Sequence, residues 1–360
     1  MQPPKGSRKG TNAPDPPIAA ETGPEKLFFF PAKTHNYLEE KSPDPSYPIS
    51  LELSLTHLCN LHCLYCSDRR IRLSPDRLNL SLLEKLFVDL KGHGTRGITI
   101  EGGGEPTLSP IFEDTIEIAS SLGLALGLIT NGTNLFERWG KDLYSSFQWI
   151  RVSLDAATPQ SFTALKGSDL FEEVMRNIEI LASSNSKQVL GIGYVLTRLN
   201  DDLKSLKELS RTLKKIGCNY LHIRPVVDHS ELASTKSYAH YLSLKEDEDL
   251  GYNVNLGPLK ENSFRGNLGL PCYAHSLTTV IGADGLVWLC GRLNCDPTIA
   301  PIGNLEFQTF QDIWLGKERA KQDLKVKSPS YCLAHCPMCR LTKYNITISA
   351  LKNIKTRDFI

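Results

Sequence analysis

Three thiols stand on a C-x3-C-x2-C spacing in "LTHLCNLHCLYCSD" (55–68), at Cys59, Cys63 and Cys66. The apolar run 49–56 reads as a β-strand, so the thiols fall just past a strand end. Three cysteines are one short of a closed tetrahedral zinc site. They suit a [4Fe-4S] cube whose fourth iron stays open to another ligand, with a zinc loop as the competing reading of the triad alone. One strand and one helix further on comes "GGGEP" (102–106). Gly102, Gly103 and Gly104 let the backbone approach a ligand closely, and Glu105 adds an acceptor suited to an ammonium group. A second thiol group follows in the C-terminal third: Cys272, Cys290, Cys295, Cys332, Cys336 and Cys339. Cys218 stands apart and reads as a buried core thiol.

These residues need elements to hold them. Strands are expected at 49–56, 97–101, 124–130, 149–154, 189–196 and 220–224, alternating with helices near 81–91, 110–122, 135–147, 169–183 and 203–216. Leu82, Leu83, Leu86, Phe87 and Leu90 show the i, i+3, i+4 stripe of an amphipathic helix. Repeated β-then-α units with right-handed crossovers build a parallel sheet, and six of them imply an α/β fold: an open, partial (β/α)6 barrel. Ligands of such sheets sit at the C-terminal strand ends. The thiol triad, "GGGEP", "TNG" (130–132) and "SLD" (153–155) all follow or end strands, so they share one rim.

The whole pattern resembles the radical S-adenosylmethionine (radical SAM) superfamily. "CNLHCLYC", with Tyr65 just before the third cysteine, looks like its cluster signature, and "GGEP" after the second strand looks like its cofactor loop. The resemblance covers roughly residues 49–225. It implies that Cys59, Cys63 and Cys66 hold a [4Fe-4S] cluster, that S-adenosylmethionine binds it, and that Gly103, Gly104 and Glu105 receive the methionine amino group. By the same similarity Asn131 and Ser153 reach the methionine carboxylate or the ribose, and Lys166 in "ALKG" reaches the carboxylate; turn chemistry and strand termination explain Asn131 and Ser153 equally well. The implied chemistry is one-electron cleavage of the cofactor, fed by an external reductant, to a 5′-deoxyadenosyl radical that takes hydrogen from substrate. In the C-terminal third, C-x12-G-x4-C from Cys272 to Cys290 and the later Cys336-Pro-Met-Cys339 resemble SPASM and shorter twitch modules. That resemblance implies one auxiliary [4Fe-4S] cluster on Cys272, Cys290, Cys336 and Cys339. Cys295 and Cys332 are left over and either could replace a nominal ligand, while a four-cysteine zinc site remains an alternative for this group.

The expected organisation is a Pro-rich flexible extension (1–48), the barrel (49–228), a linker or barrel-closing segment (229–265), the Cys-rich module (266–345) and a tail (346–360). Ten of the 21 prolines fall before residue 49. Across 360 residues, 41 basic side chains balance 40 acidic ones, so no basic field gathers nucleic acid or an anionic membrane. No signal or spanning segment is evident, which reads as a cytoplasmic protein, where clustered cysteines serve metal or redox chemistry rather than disulfides. Tyr194, His222 and Arg224 are candidate substrate-side groups that packing explains as well, and no catalytic side chain is assigned. The resemblance favours maturation of a ribosomally made precursor peptide, with a separate leader-recognition partner. The alternative is radical dehydrogenation or rearrangement of a sugar or aminocyclitol. A non-enzymatic iron-sulfur carrier would have no use for "GGGEP".

Overall fold

The computed structural model describes residues 23–39, 44–184, 188–227, 229–236, 238–246, 253–256, 269–336 and 339–354. Residues 1–22 and 40–43 of the expected extension, residues 237, 247–252 and 257–265 of the 229–265 segment with most of its acidic run, and the end of the tail lie outside the described residues.

The six expected strands all form: β1 (Ser50–Leu53), β2 (Gly97–Ile100), β3 (Ala125–Thr130), β4 (Phe147–Ser153), β5 (Val189–Leu196) and β6 (Tyr220–Pro225). They are joined by β7 (Asn253–Leu256), β8 (Thr278–Ile281), β9 (Leu286–Trp288) and β10 (Gly303–Asn304). One sheet holds them in the order β10-β9-β8-β1-β2-β3-β4-β5-β6-β7. β1 to β7 are parallel neighbours in chain order, as right-handed βαβ units require. β8 pairs parallel with the free edge of β1, and β9 and β10 continue antiparallel from it. The chain after residue 270 is thus fused to the barrel sheet.

Register sets what each face carries. In β1, β2 and β6 the buried positions alternate, with Leu51, Leu53, Ile98, Ile100, Leu221 and Ile223 under the helices. Their in-between positions carry Glu52, Thr99, His222 and Arg224 to the other face, which Arg151 of β4 shares together with Ile129, Trp149 and Val195. Charged side chains on a face that also carries apolar ones mark a surface suited to receiving a ligand. Aromatic rings close its floor. Trp149 lies over Gly127 and Tyr220 over Gly191, where an added Cβ would sit 2.2 and 1.9 Å from ring atoms.

The helices cover the convex side. Numbered in chain order, these are α2 (Leu80–Gly92), α3 (Phe112–Ser121), α4 (Pro159–Lys166), α5 (Phe171–Ser183) and α6 (Leu203–Ile216), while α1 (Pro31–Leu38), α7 (Lys317–Val326) and α8 (Thr342–Lys352) belong to the N- and C-terminal segments. Asn79 caps α2 through the Leu82 N–H, and Asp202 caps α6 through Ser205. The helix expected at 135–147 is only Leu135–Arg138 followed by a 3₁₀ segment, Lys141–Ser146. Trp139 turns extended to send its indole N–H to the Thr107 carbonyl, which breaks the run. α4 was not expected. Thr158 and Ser161 form its capping box and Gly167 ends it in the left-handed region.

Half of the segment expected to be flexible is docked. Leu27 and Tyr37 pack with Ala274, Leu277 and Ile348 of the C-terminal region. Buried Lys33 pairs with Asp44 at 2.8 Å and also donates to the Ser46 and Tyr47 carbonyls. Arg319, fully buried, donates to the Asp44 carbonyl and lies over the Trp314 ring. Proline content signals the irregular backbone here but not the partners, which lie more than 200 residues away in the chain.

Candidate functional site

The loop after β1 is braced before it reaches its thiols. Thr56 donates to Asp76 at 2.6 Å, and the His57 N–H donates to the same carboxylate at 2.8 Å. Arg72 then clamps the loop to its neighbour by donating to the Leu61 and Gly103 carbonyls. Two backbone bonds, from His62 and Leu64 to the end of α4, fix the stretch that carries Cys63. Cys59, Cys63 and Cys66 are all half-buried. Burial pushes the Cys63 thiol up to about 11, opposed by the Lys166 ammonium and reinforced by Asp155, Cys59 and Cys66. The thiols therefore lie within one another's electrostatic reach. Among the described residues no three His, Cys, Asp or Glu side chains converge tightly enough to chelate a single ion. A cubane asks for less convergence, because each thiolate binds its own iron.

The glycine loop meets the cluster loop directly. Gly104 donates to the Thr56 carbonyl and Glu105 to the Leu58 carbonyl. A Cβ on Gly104 would lie 1.9 Å from the Leu58 oxygen, and Gly102 and Gly103 adopt φ of +69° and +66°. Only glycine fits this approach. The close partner is thus the cluster loop. Glu105 is fully buried and its carboxylate is occupied by protein donors: Thr130, Thr107 and the Asn131 N–H. It fastens the end of β3 to this loop. Nearby, His57 Nδ1 is engaged by the Ser74 carbonyl, while its Nε2 is buried beside Gly103 with no hydrogen-bond partner among the described residues.

Asn131 donates to Asn60 at 2.8 Å and reaches the Cys59 sulfur at 3.9 Å. Ser153 closes β4 half-buried, and its carbonyl accepts from Lys166. Lys166 also pairs with Asp155 at 2.5 Å, where Asp155 further accepts from the Tyr65 hydroxyl and the Val195 N–H. Asp155 adopts φ +56°, alone among described non-glycine residues in that region. Burial would raise its carboxyl, but Lys166, Tyr65 and Val195 outweigh that and hold it low. Tyr65 and Lys166 are therefore joined through Asp155, which the sequence reading passed over although it ends "SLD". The structure brings all seven rim residues and the three thiols to one end of the sheet.

The second thiol group lies along the other edge. Cys272 is buried, and the Asn345 amide of α8 donates to its sulfur at 3.7 Å. Cys290 follows β9. Arg340, beside Cys339, is ion-paired with Glu52 of β1, and Gly291 backs onto both side chains. Burial and the neighbouring Glu101 push the Glu52 carboxyl up to about 8. Cys295 contacts Asn294, and the Cys332 side chain lies outside what the structure describes. Glu52, Glu101 and Arg340 carried no sequence motif; their meeting depends on β8 docking against β1.

Comparison with known proteins matches this geometry. The sequence profile of the radical SAM superfamily covers residues 53–223, and that of the SPASM iron-sulfur cluster-binding domain covers 272–340, from Cys272 to just past Cys339. The chain is a radical SAM enzyme. It belongs to that superfamily and carries a SPASM domain, so [4Fe-4S] clusters and S-adenosylmethionine are its cofactors. The mycofactocin maturase MftC of Mycobacterium tuberculosis is 24% identical over 313 residues, covering 81% of this chain and 77% of that one. The AdoMet-dependent heme synthase of Methanosarcina barkeri is 22% identical over 338 residues, covering 87% and 94%. In fold, the enzyme is similar to Streptococcus suis SuiB bound to precursor peptide SuiA, with a TM-score of 0.62, 14% identity, and 82% and 72% of the two chains covered. No described helix of the radical SAM enzyme is long and apolar enough to cross a membrane.

Proposed function

We propose that this radical SAM enzyme matures a precursor peptide. The cofactors supply a 5′-deoxyadenosyl radical that takes hydrogen from substrate. Cys59, Cys63 and Cys66 hold the cluster that binds S-adenosylmethionine; Gly103, Gly104, Asn131, Ser153 and Tyr65 line the cofactor's place on the rim, with Glu105, Lys166 and Asp155 keeping that rim rigid. Cys272, Cys290, Cys336 and Cys339 hold one auxiliary cluster. The observation that carries the peptide reading is the set of charged and polar side chains, Glu52, Thr99, Arg151, His222 and Arg224, on one face of the sheet. Similarity to MftC over most of both chains and the fold shared with SuiB support the same reading.

The chain's own residues position the reaction. The braced loop keeps donor and substrate in line, because a misplacement of about 1 Å can cost about a hundredfold in rate. A separate leader-binding partner raises the peptide's effective concentration at the rim. The test is anaerobic incubation of reduced enzyme with a precursor peptide encoded beside it, with and without a small leader-binding protein. A mass change on the peptide, strengthened by the partner, is expected. Deoxyadenosine formation driven instead by an aminocyclitol or sugar, with every neighbouring peptide unchanged, overturns the reading.

A further inference from the structure

The concave face carries two guanidinium groups that the reading above does not use. Arg151 of β4 and Arg224 of β6 point to the same side of the sheet, by the register Arg151–Gly191–Tyr220 and Val195–Arg224. Between them β5 presents Gly191 and Gly193, with Val195 level with Arg224. The missing side chains make room: Arg151 lies across this strand, its Cδ 3.6 Å from where a Gly193 Cβ would stand. The Tyr220 phenol lies within its electrostatic reach. Its partner Arg224 lies on the same face and sits within electrostatic reach of Tyr65 and Asp155 on the rim.

Neither guanidinium has a carboxylate in ion-pair contact among the described residues. The nearest on the rim, Asp155, is already taken by Lys166 and Tyr65. Glu101 lies across the face on the β2 side, beside Glu52 and Arg340. His222, between the two arginines, is held neutral, its basicity pushed down to about 3 by burial and by both guanidinium groups. Two like charges sharing a partly dehydrated surface repel, and burial and Arg151 both lower the basicity of Arg224. A folded chain keeps such a pair where a counter-charge arrives from outside.

We propose that Arg151 and Arg224 form a carboxylate site that anchors the peptide substrate inside the barrel, a proposal that rests on the peptide reading above. Paired arginine forks match a planar carboxylate. Glu52 and Glu101 on the facing wall disfavour a polyanion, which argues for a singly charged group rather than a triphosphate. The carboxylate is the peptide's C-terminus or an acidic side chain next to the reacting carbon.

The test uses reconstituted holoenzyme and four probes: acetyl-trialanine with a free C-terminus, its C-terminal amide, the amide carrying one internal glutamate, and inorganic phosphate. Binding is measured by calorimetry for the native enzyme and for Arg151→Gln, Arg224→Gln and the corresponding Arg→Lys variants. At least one carboxylate peptide is expected to bind about tenfold more tightly than the neutral amide, as charge-assisted hydrogen bonds imply. Which of the two does so names the source. Each Gln variant should lose the preference while substrate-free deoxyadenosine formation and iron content stay unchanged. Should a Gln variant fail to fold, its Lys counterpart is expected to fold and to show a reduced preference, because the charge remains and the fork is lost. Equal binding of acid and amide, a preference that survives both Gln variants, or tighter binding of phosphate overturns the proposal. So does a variant that loses cofactor cleavage, since the guanidinium would then serve S-adenosylmethionine. A carboxylate preference with no peptide ever modified sinks the peptide reading and leaves this site standing; modified peptide without the preference does the reverse.

Discussion

The two thiol-bearing regions are built in opposite ways. Cys59, Cys63 and Cys66 lie on one loop, eight residues from first to last, which backbone bonds to the end of α4 and the Asp76 and Arg72 side chains brace. Cys272, Cys290, Cys336 and Cys339 come from segments far apart in the chain, which β8 docking on β1, the Asn345 contact of α8 with Cys272 and the Arg340–Glu52 pair tie to the sheet. Each region is also anchored by a buried lysine-aspartate pair, Lys166–Asp155 in the first and Lys33–Asp44 in the second. The first region gets its precision from local covalent spacing. The second gets it from tertiary packing, so it should be the more easily disturbed from a distance.

The largest effect separates the two centres outright. Replacing Cys59, Cys63 and Cys66 together by Ala is expected to abolish deoxyadenosine formation while the auxiliary cluster's absorbance and about four irons per chain remain. Replacing Cys272, Cys290, Cys336 and Cys339 should leave substrate-free cofactor cleavage measurable. Iron analysis beside product assay decides, and loss of both clusters in either variant breaks the comparison.

Next come the buried pairs. Removing one partner strands the other's charge, at a cost of about 3–5 kcal/mol. Lys166→Met should therefore lower the urea midpoint and strip iron from the first site, because Asp155 also holds Tyr65 and β5. Lys33→Met is expected to lower the midpoint similarly while the first cluster stays loaded. Equal iron loss in both variants would show that the regions do not respond separately.

A smaller effect tests the backbone contact between the glycine loop and the cluster loop. Gly104→Ala forces a Cβ against the Leu58 oxygen and should cost about 1–3 kcal/mol, with weakened cluster loading. Gly92→Ala, at the end of α2 with nothing within 4 Å, should instead stabilise by about 0.4–1 kcal/mol. Thermal unfolding of the two variants gives the sign directly.

The smallest effect is in pH. His275, beside Cys272 and bonded to Asp323 at 2.8 Å, is kept below its ordinary value of 6.5, burial outweighing the aspartate. A depressed histidine binds fewer protons folded than unfolded, so its region is fully stable above pH 6.5 and loses stability as the pH falls below it. Asp155 in the first region is held low, so its contribution is lost only below the ordinary carboxylate value of 3.8. Hydrogen exchange at pH 7 and pH 5 should show faster opening around 272–277 than around 59–66, and His275→Asn should remove the difference.

Much of the first region was legible in the sequence. The triad, the glycine loop and the six strands follow from local spacing and from period-two and period-3.6 patterns, which short stretches of chain express on their own. Gly103 and Gly104 read as close-approach residues, yet what they approach is the cluster loop: His57 and Thr56 for Gly103, and Leu58, forty-six residues earlier, for Gly104. Glu105 and Lys166 read as cofactor-facing because their chemistry allows it. That Glu105 accepts from Thr130 and the Asn131 N–H while Lys166 pairs with Asp155 is a matter of which loops abut. By itself, then, the sequence determined the α/β class, the radical SAM signature and the Cys-rich module. Tertiary structure alone decided that the Pro-rich segment docks at Tyr37, that β8 extends the barrel sheet, and that Glu52 meets Arg340 while Arg151 and Arg224 share one face. The physical reason is that spacing fixes only near neighbours, whereas charge pairing across a sheet depends on register, and register is set by the burial of every strand at once.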